Sequence, residues 1–113
     1  MPYAAPLTVG VSESDATLYV RLEGDFDLAG VGPVESALDR LSQVPLLRRV
    51  VLDLRDVTFL DLAALRTILR TNDRARAGGL DVAVVRPLGL ANRVFTLTRA
   101  GGELHMVDQP GAA

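Results

Sequence analysis

The run Val50 to Leu54, V-V-L-D-L, limits the fold of this chain more than any other stretch. It has the length of a strand, is nearly continuous in apolar residues, and offers no polar face to water. Such a strand is covered on both faces or nearly so, as inside a parallel sheet under helices. The flanking patterns agree. Before it, Val34, Ala37, Leu38 and Leu41 fall on one face at helical spacing with Glu35, Asp39 and Arg40 outside, and Val44-Pro45 stops the helix. After it, the segment beyond Asp61 carries Leu62, Leu65, Ile68, Leu69 and Ala75 inward and Arg66, Arg70, Thr71 and Arg74 outward.

The rest of the chain continues the alternation. Leu7, Val9 and Val11 alternate with Thr8, Gly10 and Ser12, the period of a half-buried edge strand. Ser12 to Ala16, S-E-S-D-A, is turn chemistry. Leu18, Val20 and Leu22 then alternate with polar neighbours in a second strand that Gly24 is expected to end, and the two strands read as a hairpin. Pro33 is expected near the first turn of the next helix. Gly78-Gly79 closes the helix after Asp61, and Leu80 to Val85 is another strand. Pro87 opens a last helix with Leu90, Ala91, Val94, Phe95 and Leu97 apolar, stopped by Gly101-Gly102. Glu103 to Val107 reads as a short final strand before a fraying tail, D-Q-P-G-A-A. This order predicts an α/β fold: a mixed, mostly parallel β-sheet of about five strands with helices packed against it. At 113 residues the chain has the size of a single domain.

Composition removes several classes of function. Cysteine is absent, so neither a disulfide framework nor thiolate chemistry is available. The net charge of −2 argues against nucleic acid as a partner. No apolar run reaches the roughly 20 residues of a membrane span, so membrane insertion is not expected. The start, M-P-Y-A-A-P-L-T, lacks a basic region followed by an apolar stretch, which makes the cytoplasm the expected compartment. All 12 basic residues are Arg. Ten of the 14 acidic residues precede Arg66, and seven of the Arg lie from Arg66 onward. That asymmetry can orient a partner, although a solvated surface accounts for it equally.

The inventory for catalysis is thin. His105 is the only histidine and has no second His or Cys at metal-binding spacing, so neither a metal nor a cofactor is expected. Gly30 and Gly32 do not complete a dinucleotide fingerprint, and there is no P-loop or nucleophile elbow. Asp25 and Asp27 in G-D-F-D can pair as carboxylates, but capping a turn and the first helix explains them more simply. Asp61 stands at a strand-to-helix junction. It reads as a helix N-cap and, compatibly, as a position beside a helix start that favours anions. The next residues, Leu62, Ala63 and Ala64, are chemically inert. An enzyme is not expected.

V-L-D-L-R-D-V-T-F-L-D-L-A-A-L resembles the signature of STAS domains, as in bacterial anti-sigma factor antagonists. That signature is an apolar strand ending in L-D-L, a short loop, and an F/I-L/I/M-D-S-S/T-G-L turn into a helix. G-D-F-D resembles the family's earlier G-E-L/F-D. P-L-G-L-A-N-R-V-F-T-L-T-R-A-G-G resembles its last helix, with an apolar R-V/L-F/L-x-L-S/T core. The resemblance runs from about Leu7 to Val107 within a single STAS-like domain over residues 1–113.

The resemblance implies a function without catalysis. Such antagonists bind an anti-sigma factor, a small serine-kinase-like protein, and so free the sigma factor in partner switching that regulates transcription. Phosphorylation of a Ser or Thr two residues after the signature Asp switches that binding off. Carried over, Asp61 matches the signature Asp, Leu62 the first Ser and Ala63 the phosphoacceptor, while Ala64 stands for Gly and Leu65 for Leu. The implied partner surface comprises Asp25, Asp27, Asp61, Leu62, Ala63, Ala64 and Leu65, with Arg66 and Arg70 as a positive rim. Leu62 is there either a core residue or an exposed apolar contact. Ala63 has no hydroxyl, so phosphorylation at the usual position is not expected. Thr58 and Thr67 flank the site as substitutes, but a structural role is the simpler account of both, Thr58 preceding Phe59, which is expected to be buried. Two further functions stay open: a STAS-type regulatory subunit of an ABC lipid-transport ATPase, and a small-molecule or nucleotide sensor at the strand C-termini. Self-association as a homodimer is also open.

Overall fold

The computed structural model describes residues 5–111, Ser42 without its side chain. Met1–Ala4, at the start of the segment expected to lack a leader, and Ala112–Ala113 of the expected tail lie outside the described residues. Strands β1 (Thr8–Ser14) and β2 (Thr17–Phe26) form the expected antiparallel hairpin, with Ser14 opposite Thr17. Its turn is only Asp15-Ala16, at φ 50° and 61°. Two positive φ values match the twist of the flanking strands, so Ser12 to Ser14 join the ladder instead of the turn.

Gly24 does not end β2. It lies inside the strand at φ +102°, and a Cβ there would come within 2.7 Å of the Pro6 carbonyl oxygen. The bare backbone lets the N-terminal segment cross closely, and the Asp25 N–H donates to the Ala5 carbonyl at 2.8 Å.

Helix α1 (Leu28–Leu38) starts directly after Asp27, which places Pro33 in the helix interior rather than near its first turn. Gly30, Gly32 and Pro33 are poor helix formers. Packing compensates: Val34, Ala37 and Leu38 are buried, and Gly30 admits Leu7 and Phe26 at close range. The helix tightens into a 3₁₀ turn over Asp39–Gln43 and ends at Val44, extended before Pro45.

β3 (Arg49–Leu60) has 12 residues, more than twice the apolar run that announced it. Its second half pairs with β2 through two register shifts, and those irregularities break the period that hydropathy reads. All five residues from Val50 to Leu54 are buried. Helix α2 (Leu62–Ala77) leads to β4 (Asp81–Val85), which meets β3 only over Arg49 to Asp53, so β3 runs on beyond it. Helix α3 (Gly89–Leu97) starts two residues after Pro87. The final strand β5 is Met106–Val107 alone, shorter than the expected Glu103–Val107; Glu103 instead caps the 3₁₀ turn Ala100–Gly102, its N–H donating to the Ala100 carbonyl at 3.0 Å.

The five strands lie in the order β1-β2-β3-β4-β5, all pairs parallel except the first. Leu18, Val20, Val50, Leu52, Val82 and Val84 turn one face to a core completed by side chains of all three helices. Sequential parallel strands with right-handed crossovers put their helices on one side. The opposite face carries a smaller cluster of Val51, Ala83, Val85 and Val107 beside Tyr19.

Three placements differ from the periodic reading. Thr71 is buried, its hydroxyl donating to the Thr67 carbonyl at 2.8 Å, which satisfies a polar group that the pattern puts outside. Leu90 and Leu97 are exposed, because α3 touches the core along only a narrow stripe through Ala91 and Phe95. The tail is tied where it begins, Arg86 Nε donating to Asp108 at 3.0 Å. Among the described residues no helix is long and apolar enough to cross a membrane.

Candidate partner-binding surface

Two parallel strands finish side by side here: Asp25 lies opposite Phe59 and Phe26 opposite Leu60. Each then turns into a helix through an Asp-Leu pair. The Asp27 carboxylate accepts the Ala29 N–H at 3.0 Å, and the Asp61 carboxylate accepts the Ala64 N–H at 2.9 Å. Both aspartates therefore satisfy backbone donors that the helix itself leaves unpaired. The Asp61 N–H donates to the Phe26 carbonyl at 3.2 Å, which locks the two helix starts together. Asp25 is held from two directions, by Thr58 Oγ1 at 2.9 Å and the Ala5 N–H at 3.2 Å.

The leucines after the caps face water. Leu62 is 57% exposed and Leu28 73% exposed, so Leu62 lies at the surface and not in the core. A helix can bury only one stripe, and Ala64, Leu65 and Ile68 already fill it. Phe59 is 51% exposed, against the expectation of burial. Neighbouring strand residues point to opposite faces, and Leu60 takes the inward place. The dipeptide F-L already carries that alternation, since only one of two adjacent strand residues can face the core. Leu28 is an addition to the expected surface, and the recurrence of D-L at Asp27 and Asp61 is the sequence signal for it.

The remaining expected residues divide by depth. Ala63 is half-buried on the first turn, while Ala64 and Leu65 are turned into the core and can shape the surface only from beneath. Arg66 is exposed, but Arg70 gives Nη2 to Glu35 at 3.3 Å, so part of the positive rim is already neutralised. Thr67 is 1% exposed, with its hydroxyl donating to the Ala63 carbonyl at 3.0 Å. Behind this edge, Arg21 is paired with Asp56, and Arg55 reaches Asp53 with Nη2 at 2.8 Å. The hydrogen bond and charge of Asp53 raise Arg55 above its ordinary pKa. Among the described residues no cluster of His, Cys, Asp or Glu could hold a metal ion.

The family model described as the STAS domain matches residues 8–113. The chain belongs to the STAS domain family. Solved structures share this STAS fold at low identity. An anti-sigma factor antagonist from Mycobacterium paratuberculosis superposes with a TM-score of 0.82 at 22% identity, covering 96% of this chain and 92% of that one. The anti-sigma factor antagonist SpoIIAA in its unphosphorylated form gives a TM-score of 0.76 at 16% identity, covering 92% and 90%. The phosphorylated form of SpoIIAA, a Bacillus cell fate determinant, gives 0.71 at 16% identity, covering 92% and 93%. No curated protein sequence matches the chain significantly.

Proposed function

We propose that this STAS domain is a non-catalytic, cytoplasmic interaction module that binds a kinase-like anti-sigma factor through the paired helix starts. The observation that carries the reading is the pair of exposed leucines, Leu28 and Leu62, each beside its capping aspartate. Desolvated apolar anchors in a rigid frame are what a small protein interface uses. Structures of the same fold described as anti-sigma factor antagonists favour this class of partner. Ala63 has no acceptor hydroxyl, so binding is constitutive rather than switched by phosphate at that position. Arg66 remains as a cation at the edge, suited to an acidic patch on the partner.

The test is co-purification from the native cell followed by calorimetry against the captured protein. Leu62→Asp and Leu28→Asp should each weaken binding at least tenfold, about 1.4 kcal/mol, with the circular dichroism spectrum unchanged. Wild-type affinity in both folded variants would place the binding surface elsewhere.

A further inference from the structure

The two helix starts are built alike but are not supported alike. Asp27 accepts the Ala29 N–H on its carboxylate at 3.0 Å and the Gly30 N–H on its carbonyl at 2.9 Å. Asp61 holds Ala64 and Leu65 in the same two ways, at 2.9 and 3.0 Å. Beyond the second cap, α2 runs on through Ala63, Ala64 and Leu65, which are strong helix formers. Beyond the first, α1 runs on through Gly30, Gly32 and Pro33, which lend the helix little support of their own.

The missing support comes from Ala5–Leu7, the segment ahead of β1. The Ala5 carbonyl accepts the Asp25 N–H at 2.8 Å, and the Ala5 N–H donates to Asp25 Oδ2 at 3.2 Å. Pro6 then crosses Gly24, and Leu7 lies against Gly30, where a Cβ would stand 2.8 Å from the Leu7 Cδ2. The two glycines that this strap needs bare are the ends of G-D-F-D-L-A-G, which holds Asp25, Asp27 and Leu28 between them. Leu7 also packs against the main core, so the strap is pinned at both ends. Asp25 Oδ1 accepts the Thr58 hydroxyl at 2.9 Å, which commits both oxygens of this carboxylate within the chain.

We propose that Asp25 is a positioning residue and not a partner contact: it clamps the Ala5–Leu7 strap, and the strap holds the Leu28 anchor in place. The link to binding rests on the reading of Leu28 and Leu62 as anchors. Leu62 is then a fixed anchor on a helix start that supports itself, and Leu28 is an anchor set only while the strap is closed. A preformed anchor needs less ordering when a partner arrives, so opening the strap lowers affinity without removing a contact. Affinity at the helix starts is in this way controlled from the N-terminal segment.

Amide hydrogen exchange of the full chain tests the strap without a partner. Asp25→Ala and Leu7→Ala should each speed exchange at Ala29 and Gly30 by about tenfold, while Ala64 and Leu65 keep wild-type rates. Asp25→Asn should match the wild type, because its amide oxygen accepts the Ala5 N–H and its NH₂ donates to Thr58. Calorimetry against the co-purified anti-sigma factor reads the consequence. Binding should weaken about fivefold in Asp25→Ala and Leu7→Ala and stay at the wild-type value in Asp25→Asn. Wild-type exchange at Ala29 and Gly30 in Asp25→Ala and Leu7→Ala, or an equal rise at both helix starts, overturns the strap. Faster exchange with wild-type affinity, where Leu28→Asp does bind weakly, overturns its hold on Leu28. Weak binding by Asp25→Asn at wild-type exchange overturns the positioning role and makes Asp25 a contact. Failure of the helix-start reading is distinct: it shows as wild-type affinity in Leu28→Asp and Leu62→Asp, and the exchange rates still decide the strap.

Discussion

Ala63 occupies the first turn of α2, half-buried, one residue from the buried Ala64 and two from the Asp61 cap. A carboxylate there meets the positive end of the helix dipole, worth about 0.3–1 kcal/mol in its favour. Ala63→Asp should therefore fold as well as the wild type by thermal melting. The same charge sits between the leucines and an approaching partner, and calorimetry should show binding weakened more than tenfold, about 1.4 kcal/mol. Unchanged affinity would mean that the partner does not approach the first turn of α2. Neither neighbouring threonine is a ready substitute acceptor. Thr67 is enclosed and its hydroxyl is committed to the Ala63 carbonyl, while Thr58 donates to Asp25. Intact-mass analysis after incubation with a related anti-sigma kinase and ATP should show no added phosphate on the wild type. Ala63→Ser combined with Leu62→Ser and Ala64→Gly should then be the variant that gains one. A phosphate on Thr58 or Thr67 of the wild type would show that the acceptor had moved along the chain.

At the scale of elements, α1 is the helix whose own sequence supports it least. Gly32 has open space where a Cβ would go and no positive φ, so Gly32→Ala should raise stability by about 0.5–1 kcal/mol. Gly24→Ala should do the reverse and cost more, because the new methyl meets the Pro6 carbonyl oxygen at 2.7 Å and the backbone is at φ +102°. Urea unfolding followed by circular dichroism separates the two by the sign of the midpoint shift. Equal shifts would mean that the crossing of the N-terminal segment over β2 is not what demands glycine. The β1–β2 turn offers a third variant of the same logic. Replacing Asp15-Ala16 with Asn-Gly suits two positive φ values and should raise the midpoint.

For the whole molecule, β3 is the spine, paired with β2 along its length and with β4 over its first half. Leu52 lies in the half that both neighbours flank, 1% exposed and packed in the main core. Leu52→Ala should cost about 2–5 kcal/mol, a large share of the roughly 5–15 kcal/mol that holds a domain together. Leu62→Asp, at the exposed start of α2, should leave the urea midpoint close to wild type. A midpoint that fell as far for Leu62→Asp as for Leu52→Ala would show Leu62 to be part of the core.

Hydropathy along the chain was sufficient for the α/β class, the order of the strands and helices, the hairpin and the two aspartate caps. Each of these rests on interactions between residues close in sequence, which leave a period or a capping pattern behind. V-V-L-D-L announced a buried strand because burial on both faces forbids polar alternation. The length of β3 was not legible, since its second half is polar and is held by pairing with β2 through two register shifts. The site was half legible. Asp27 and Asp61 were readable as caps, whereas Phe59 and Leu62 carry side chains that a periodic count assigns to a core, and Leu28 falls in no periodic run. Only the packed structure decided that they face water. The inward stripe at each position was already filled by a neighbour such as Leu60 or Leu65, and a core has room for one side chain where the sequence offers two.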